Sequence, residues 1–213
     1  MELQKPKPML ELKPKVQALY DAVLELLNEN ADVNTLTVSD ITKRAGIGKG
    51  TAYDYFSCKE EIIAGAIIYD AQTQGVENWE RLENIPGFEE KIHYCYRWVV
   101  DCMQEQRAFA RFMILSVHPG SVRDDVMKKM QNMHDKCVEN GGVGPMSIMT
   151  GLCECGRREG YIWEELPVEA AVYLLLGSLT SLVMYMGKEN KGDGFAPMQM
   201  QEHLCESFLR AVK

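Results

Sequence analysis

The segment Leu36 to Lys59, LTVSDITKRAGIGKGTAYDYFSCK, constrains what this 213-residue chain can fold into more than any other. Thr37 followed three residues later by Asp40 is a capping box: the hydroxyl accepts from a first-turn amide and the carboxylate reaches back, so a helix starts at Val38. Val38, Ile41 and Ala45 recur at spacings of three and four and give that helix one apolar face, with Ser39, Lys43 and Arg44 off it. Gly46 ends it, because glycine takes left-handed backbone without steric cost, and Ile47 can fold back as an apolar plug. A second helix, Lys49 to Phe56, follows at once, although glycine, threonine and three aromatics make it poor on propensity. Ala52 and Phe56, four apart, face the protein, which leaves Lys49, Thr51, Tyr53 and Tyr55 for an outside partner. Tyr53 and Tyr55 cannot both point squarely outward from one short helix. Lys49 and Gly50 stand where free amides and the positive helix end favour phosphate, and Gly50 lets a backbone approach closely. This is the pattern of a helix-turn-helix, whose second helix lies in the DNA major groove. Ser57 and Glu60 repeat the capping spacing and start a further helix, with Lys59 in its first turn, where a cation opposes the dipole unless a phosphate is near.

Around this motif the pattern is helical throughout. Met1 to Pro14 interleaves lysine with proline and has no apolar periodicity, so residues 1–14 read as a flexible arm. From Lys15 to Asn30, Val16, Leu19, Tyr20, Val23, Leu26 and Leu27 form a stripe that would brace the motif. Punctuation by Pro, Gly and Asn predicts further helices at about 59–78, 87–105, 107–117, 121–139, 146–159, 168–188 and 198–212, and no strand alternation appears. The expectation is an all-α chain of about nine helices: a helix-turn-helix head over 15–60 and a larger helical body over 61–213. Residues 1–59 carry eight Lys/Arg against eight Asp/Glu, so the net charge of -8 resides in the body. A neutral head needs two copies and a specific site to bind DNA tightly. The stretch Ala170 to Gly187 has no charge and is long enough to span a membrane, yet Ser178, Thr180, Ser181 and two glycines argue for a helix buried on both sides, against its own core and against a partner. Gly177 and Ser181, four apart, would let that partner approach closely, and Leu204, Phe208 and Val212 supply a matching apolar face.

The helix over 15–30 with TVSDITKRAGIGKGTAYDYFSCKEE resembles the DNA-binding domain of the tetracycline-repressor (TetR) family of bacterial regulators, over about Lys15 to Ala66. The resemblance implies that Thr37, Lys49, Gly50, Tyr53, Tyr55 and Lys59 touch DNA, mostly its phosphates. Ser39 and Thr51 complete the candidate set. Asp54 departs from the family, which often has an uncharged residue there, and a carboxylate would repel phosphate unless it faces solvent or accepts from a cytosine amino group. The resemblance also implies a ligand-responsive repressor: a homodimer through helices at about 168–188 and 198–212, released from a palindromic operator on double-stranded DNA by a small apolar or amphipathic effector in the body. The two heads would then stand about 34 Å apart, one DNA turn, or a multiple of it. Trp98, Cys102, Phe112, Met113, Met149 and Tyr173 are the candidate pocket residues, against the alternative that Met and aromatic residues at helical spacing are simply core.

No enzyme chemistry is expected, and no cofactor or metal. Cys153-x-Cys155 lies in a helix where positions two apart diverge, Cys95 and Cys102 are two turns distant, and the four histidines are scattered. The chain opens without a charged leader and apolar run, and seven cysteines is an odd number, so reduced thiols in the cytoplasm are expected, with no membrane partner. Two other functions stay open at this point. One is a regulator of the same fold that senses oxidation through Cys58, Cys102 or Cys153, Cys58 lying beside Lys59 near a helix start. The other is a helical ligand carrier or enzyme that no longer binds DNA.

Overall fold

The computed structural model describes residues 12–29, 31–105, 124–139, 145–187 and 196–213. Among these residues there are nine α-helices and no strand: α1 Pro14–Asn28, α2 Val38–Ala45, α3 Lys49–Tyr53, α4 Lys59–Asn84, α5 Phe88–Gln104, α6 Asp124–Glu139, α7 Pro145–Arg158, α8 Val168–Met186 and α9 Pro197–Ala211. The all-α expectation holds, with most helix ends within a residue or two of those predicted. The helix expected over 107–117 lies outside the described residues. α4 is longer than expected, because no breaker follows Asn78 and the helix continues to Asn84.

Two compact units divide the chain, with the boundary inside α4 between Val76 and Glu77. The first holds α1 to α3, the first part of α4 and α6. Its core is Leu19, Val23 and Leu27 of α1, Ile41 of α2, Ala52 of α3 and Ile62, Ile63, Ala66 and Ile67 of α4, all buried. Proline at the first position fixes the start of α1. Gly46 adopts φ 67°, the left-handed cap that brings α3 against α2, and Ile47 packs on the core beside it as the sequence predicts. Gly65 answers a different need. A β-carbon there would lie 2.2 Å from the Tyr20 hydroxyl oxygen, so only glycine lets α4 pass that ring. Val126 of α6 is buried in the same core and Lys129 pairs with Glu61 of α4 at 2.5 Å. The expected boundary at residue 60 therefore falls short: the unit around the helix-turn-helix runs on into α4, whose apolar face it needs, and recruits α6 from far along the chain.

The second unit contains the end of α4 and α5, α7, α8 and α9. Phe88, Ile92 and Tyr96 of α5, Cys153 of α7, Leu175, Leu179 and Leu182 of α8 and Cys205, Phe208 and Leu209 of α9 form its core. Polar groups lock the helices in register. Glu159, just past α7, accepts from the Phe88 amide at 2.7 Å and so caps α5, and the buried Tyr96 hydroxyl donates to Ser178 of α8 at 2.6 Å. The buried Lys91 ammonium donates to the Leu82 carbonyl near the end of α4.

Candidate nucleic-acid interface

The capping box at α2 forms as predicted. The Thr37 hydroxyl accepts from the Asp40 amide at 3.2 Å and donates to the Asp40 carboxylate at 2.6 Å, while that carboxylate accepts from the Thr37 amide at 3.0 Å. Thr37's hydroxyl holds the Asp40 carboxyl below its usual pKa, the backbone bond adds to this, and Asp40 stays ionised next to the turn. Thr37 and Ser39 are both exposed, but the Thr37 hydroxyl is committed to the cap. Arg44 is drawn away from any outside partner, because it makes two bonds to Glu29 of 2.9 and 2.6 Å and a third to Glu25 of 3.3 Å. That fork clamps α2 to α1.

α3 ends at Tyr53, earlier than the expected Phe56. The backbone continues in a turn, with the Asp54 amide bonded to the Gly50 carbonyl and the Tyr55 and Phe56 amides both bonded to that of Ala52. This change of course lets Tyr53 and Tyr55 both reach solvent, 57% and 36% exposed, which a continuous helix would not allow. Ala52 is buried and Phe56 packs its ring 5.8 Å from Tyr20, so the inward pair is as predicted. Lys49 and Gly50 are exposed and Thr51 is half-buried. A β-carbon at Gly50 would meet nothing within 4 Å and its φ is not positive, so the fold does not require glycine there. Asp54 is exposed, consistent with a solvent-facing carboxylate.

Lys59 differs from expectation. Its ammonium donates to the carbonyls of Asn34 and Leu36 at 3.0 and 2.7 Å and fastens the start of α4 to the loop before α2, which commits two of its three protons. The reach-back carboxylate at that helix start is Glu61, which accepts from the Ser57 amide at 2.8 Å, rather than Glu60. The helix begins at Lys59, one residue later than the S-x-x-E spacing implies, and the third helical position is therefore Glu61. Lys13 is a neighbour that the sequence does not reveal: its ammonium lies 5.4 Å from the centroid of the Tyr55 ring. Only tertiary structure brings the start of α1 to the turn after α3.

The body candidates are less coherent. Cys102 is buried, Trp98 and Met149 are half-buried, and Phe112 and Met113 lie outside the described residues. Tyr173 is 60% exposed on the outer side of α8, because the inward positions of that helix are Ala171, Val172, Leu175, Leu179, Leu182 and Val183. It does not line the interior as expected. An open groove of about 590 Å³ is lined instead by Glu77, Glu80, Arg81, Asn84, Ile85 and Tyr94, none of them named from the sequence. Burial pushes the thiols of Cys95, Cys153 and Cys205 up to about 12, which keeps them protonated and poor nucleophiles. Cys58, Cys95, Cys153, Cys155 and Cys205 form no disulfide among the described residues, and no group of three or more metal-binding side chains forms among them either.

Residues 19–66 match the family model for bacterial regulatory proteins of the tetR family. The fatty acid metabolism regulator protein of Bacillus subtilis is 24% identical over 176 residues, covering 82% of this chain and 84% of that protein. Among solved structures, the fatty acid degradation regulator FadR of Bacillus halodurans superposes with a TM-score of 0.72 at 19% identity, covering 94% of this chain and 97% of that one. FadR of B. subtilis in complex with stearoyl-CoA gives 0.70 at 20% identity, covering 92% and 99%. These structures share the fold over nearly the whole length, and the motif match falls on the residues that build the exposed α3 surface. The chain is a DNA-binding transcriptional regulator whose residues 19–66 match the tetR family of bacterial regulatory proteins.

Proposed function

We propose that the protein is a repressor that binds a palindromic operator as a homodimer through Thr37, Ser39, Lys49, Gly50, Thr51, Tyr53, Tyr55 and the remaining proton of Lys59, and is released by an apolar or amphipathic effector. The observation that carries the reading is the α3 surface: Lys49, Gly50 and Tyr53 stand exposed around a buried Ala52, with a glycine that the chain itself does not need. A DNA-binding protein of this kind works in the cytoplasm, where the chromosome is.

The relatives support one effector class. A long-chain acyl thioester of coenzyme A is the first candidate, since one relative is a fatty acid metabolism regulator and a neighbour of the same fold holds stearoyl-CoA. Such a ligand releases DNA only if it binds the released arrangement of the heads more tightly than the operator-bound one. The body's groove beside Arg81 and its Met- and aromatic-containing helices are compatible with an amphipathic guest.

The test is selection of sheared genomic DNA from the source by the purified protein, with Lys49→Ala/Tyr53→Ala as control, at two salt concentrations, followed by challenge with stearoyl-CoA, stearate and free coenzyme A. Enrichment of palindromic sites by the wild type alone, and their release by stearoyl-CoA alone, is the expected result. Enrichment without release would overturn the effector class while leaving the regulator, and equal enrichment by the double variant would overturn the assignment of the interface.

A further inference from the structure

The reading of α3 as the DNA face leaves Lys13 unexplained. It is exposed at the start of α1, that helix has no acidic residue in its first turn, and Lys13 makes no ion pair among the described residues. Its recorded partner is a ring: the ammonium lies 5.4 Å from the centroid of Tyr55, within the roughly 6 Å reach of a cation–π contact. An exposed lysine otherwise samples many rotamers, and this contact narrows them to those that hold the charge beside α3.

The geometry points to Lys13 and Tyr55 as a paired phosphate clamp at the edge of the DNA interface, in which the ring positions the ammonium and the ammonium neutralises a backbone phosphate. The inference rests on the proposed DNA face. A ring face occupies one side of an ammonium and forms no directed hydrogen bond, so the lysine's protons remain available to phosphate oxygens. Lys59, which the sequence places in a phosphate role, gives two protons to carbonyls of its own chain, and Arg44 is held by Glu25 and Glu29. The head is neutral in sum, so its exposed cations without an ion pair among the described residues, Lys13, Lys15, Lys43 and Lys49, carry its electrostatic attraction to DNA. A phosphate contact carries no base information, so Lys13 strengthens binding to every sequence alike.

The test uses the full chain and two duplexes, a fragment that the wild type enriches from genomic DNA and a random duplex of equal length, with Kd measured across a salt series. Neutralising one phosphate contact lowers the slope of log Kd against log salt by about 0.9, or roughly 1.8 for a dimer with two heads. Lys13→Gln is expected to lose that much slope on both duplexes, Lys13→Arg to retain it, and Tyr55→Leu to reduce it while Lys13 is still present. Thermal melts of each variant exclude a folding effect, since both side chains are exposed. An unchanged slope for Lys13→Gln would overturn the clamp while leaving the DNA face standing, as would a loss on the enriched fragment alone. Failure of the wild type to enrich any genomic fragment or to bind the random duplex would overturn the DNA face and the clamp together.

Discussion

A β-carbon on Gly65 would lie 2.2 to 2.8 Å from three atoms of the Tyr20 ring and hydroxyl, and that ring cannot step aside, since Phe56 and Tyr69 pack against it at centroid distances of 5.8 and 5.9 Å. Alanine is the better helix former by about 1 kcal/mol, but overpacking a rigid core site costs about 1–3 kcal/mol. Gly65→Ala is therefore expected to lower Tm by several degrees, at about 2–4 °C per kcal/mol for a chain of this size. Tyr20→Phe in the same chain, which removes the atom at 2.2 Å, should restore part of the loss; a Gly65→Ala protein as stable as the wild type would contradict the packing. Gly46 differs in kind. Its φ of 67° strains any other residue whatever the space, and Gly46→Ala should cost about 1–2 kcal/mol in a chemical denaturation series. The sequence reveals Gly46, because its role is local to the end of α2. It does not reveal Gly65, whose partner stands on another helix.

Between elements, the pairing of α6 with α4 is the feature that gives the head a handle outside its own sequence. Lys129 donates to Glu61, and Ser57 donates to the same carboxylate from the backbone, and together they hold the Glu61 carboxyl below its usual value of 4.5, the lysine bond being the larger cause. A carboxyl whose folded pKa is depressed contributes stability above its unfolded value and loses it as pH falls through the folded one. Glu61→Gln should thus be less stable than the wild type at neutral pH, and the gap should close as pH drops below about 4.5. A gap that stays constant from neutral pH to the onset of acid unfolding, in parallel thermal melts, would mean that the pair does not form in solution. The sequence shows why each of these helices exists. Caps, glycine stops and apolar spacing place α2, the start of α3 and most of the body within a residue or two, since those signals act over one turn. Periodicity gives the inward face of α6 but not its partner, so Val126 in the head core was not legible. The same limit applies to Lys59, whose partners Asn34 and Leu36 lie across a loop, and to the pocket candidates, of which Tyr173 proved to be outside.

At the scale of the molecule, α8 poses the remaining question of what covers its outer face. The helix is long and apolar enough to cross a membrane by length and composition, and only 33% of its most apolar window is buried within the chain. Tyr173, Leu174 and Met184 are exposed on it, and Gly177 and Ser181 lie between them. Apolar side chains grouped on one helix face, with small residues at their centre, suit a second helix better than water or lipid, and the proposed homodimer supplies that helix as a copy of α8 itself. Gly177 gives a clean test because a β-carbon there meets nothing within 4 Å of its own chain. Gly177→Leu adds a good helix former to an open position, so the isolated fold should be unharmed and any effect reports the partner. The wild type is expected to sediment at twice the 24.2 kDa mass of one chain, and Gly177→Leu at a lower mass with an unchanged helical circular dichroism spectrum. In the proposed homodimer two heads share one operator, so the same variant should bind the enriched DNA fragment far more weakly than the wild type while binding random DNA with similar affinity per head. A Gly177→Leu protein that remains dimeric would move the interface away from this face. A wild type that sediments as a single chain and yet binds the fragment tightly would separate operator recognition from dimerisation altogether.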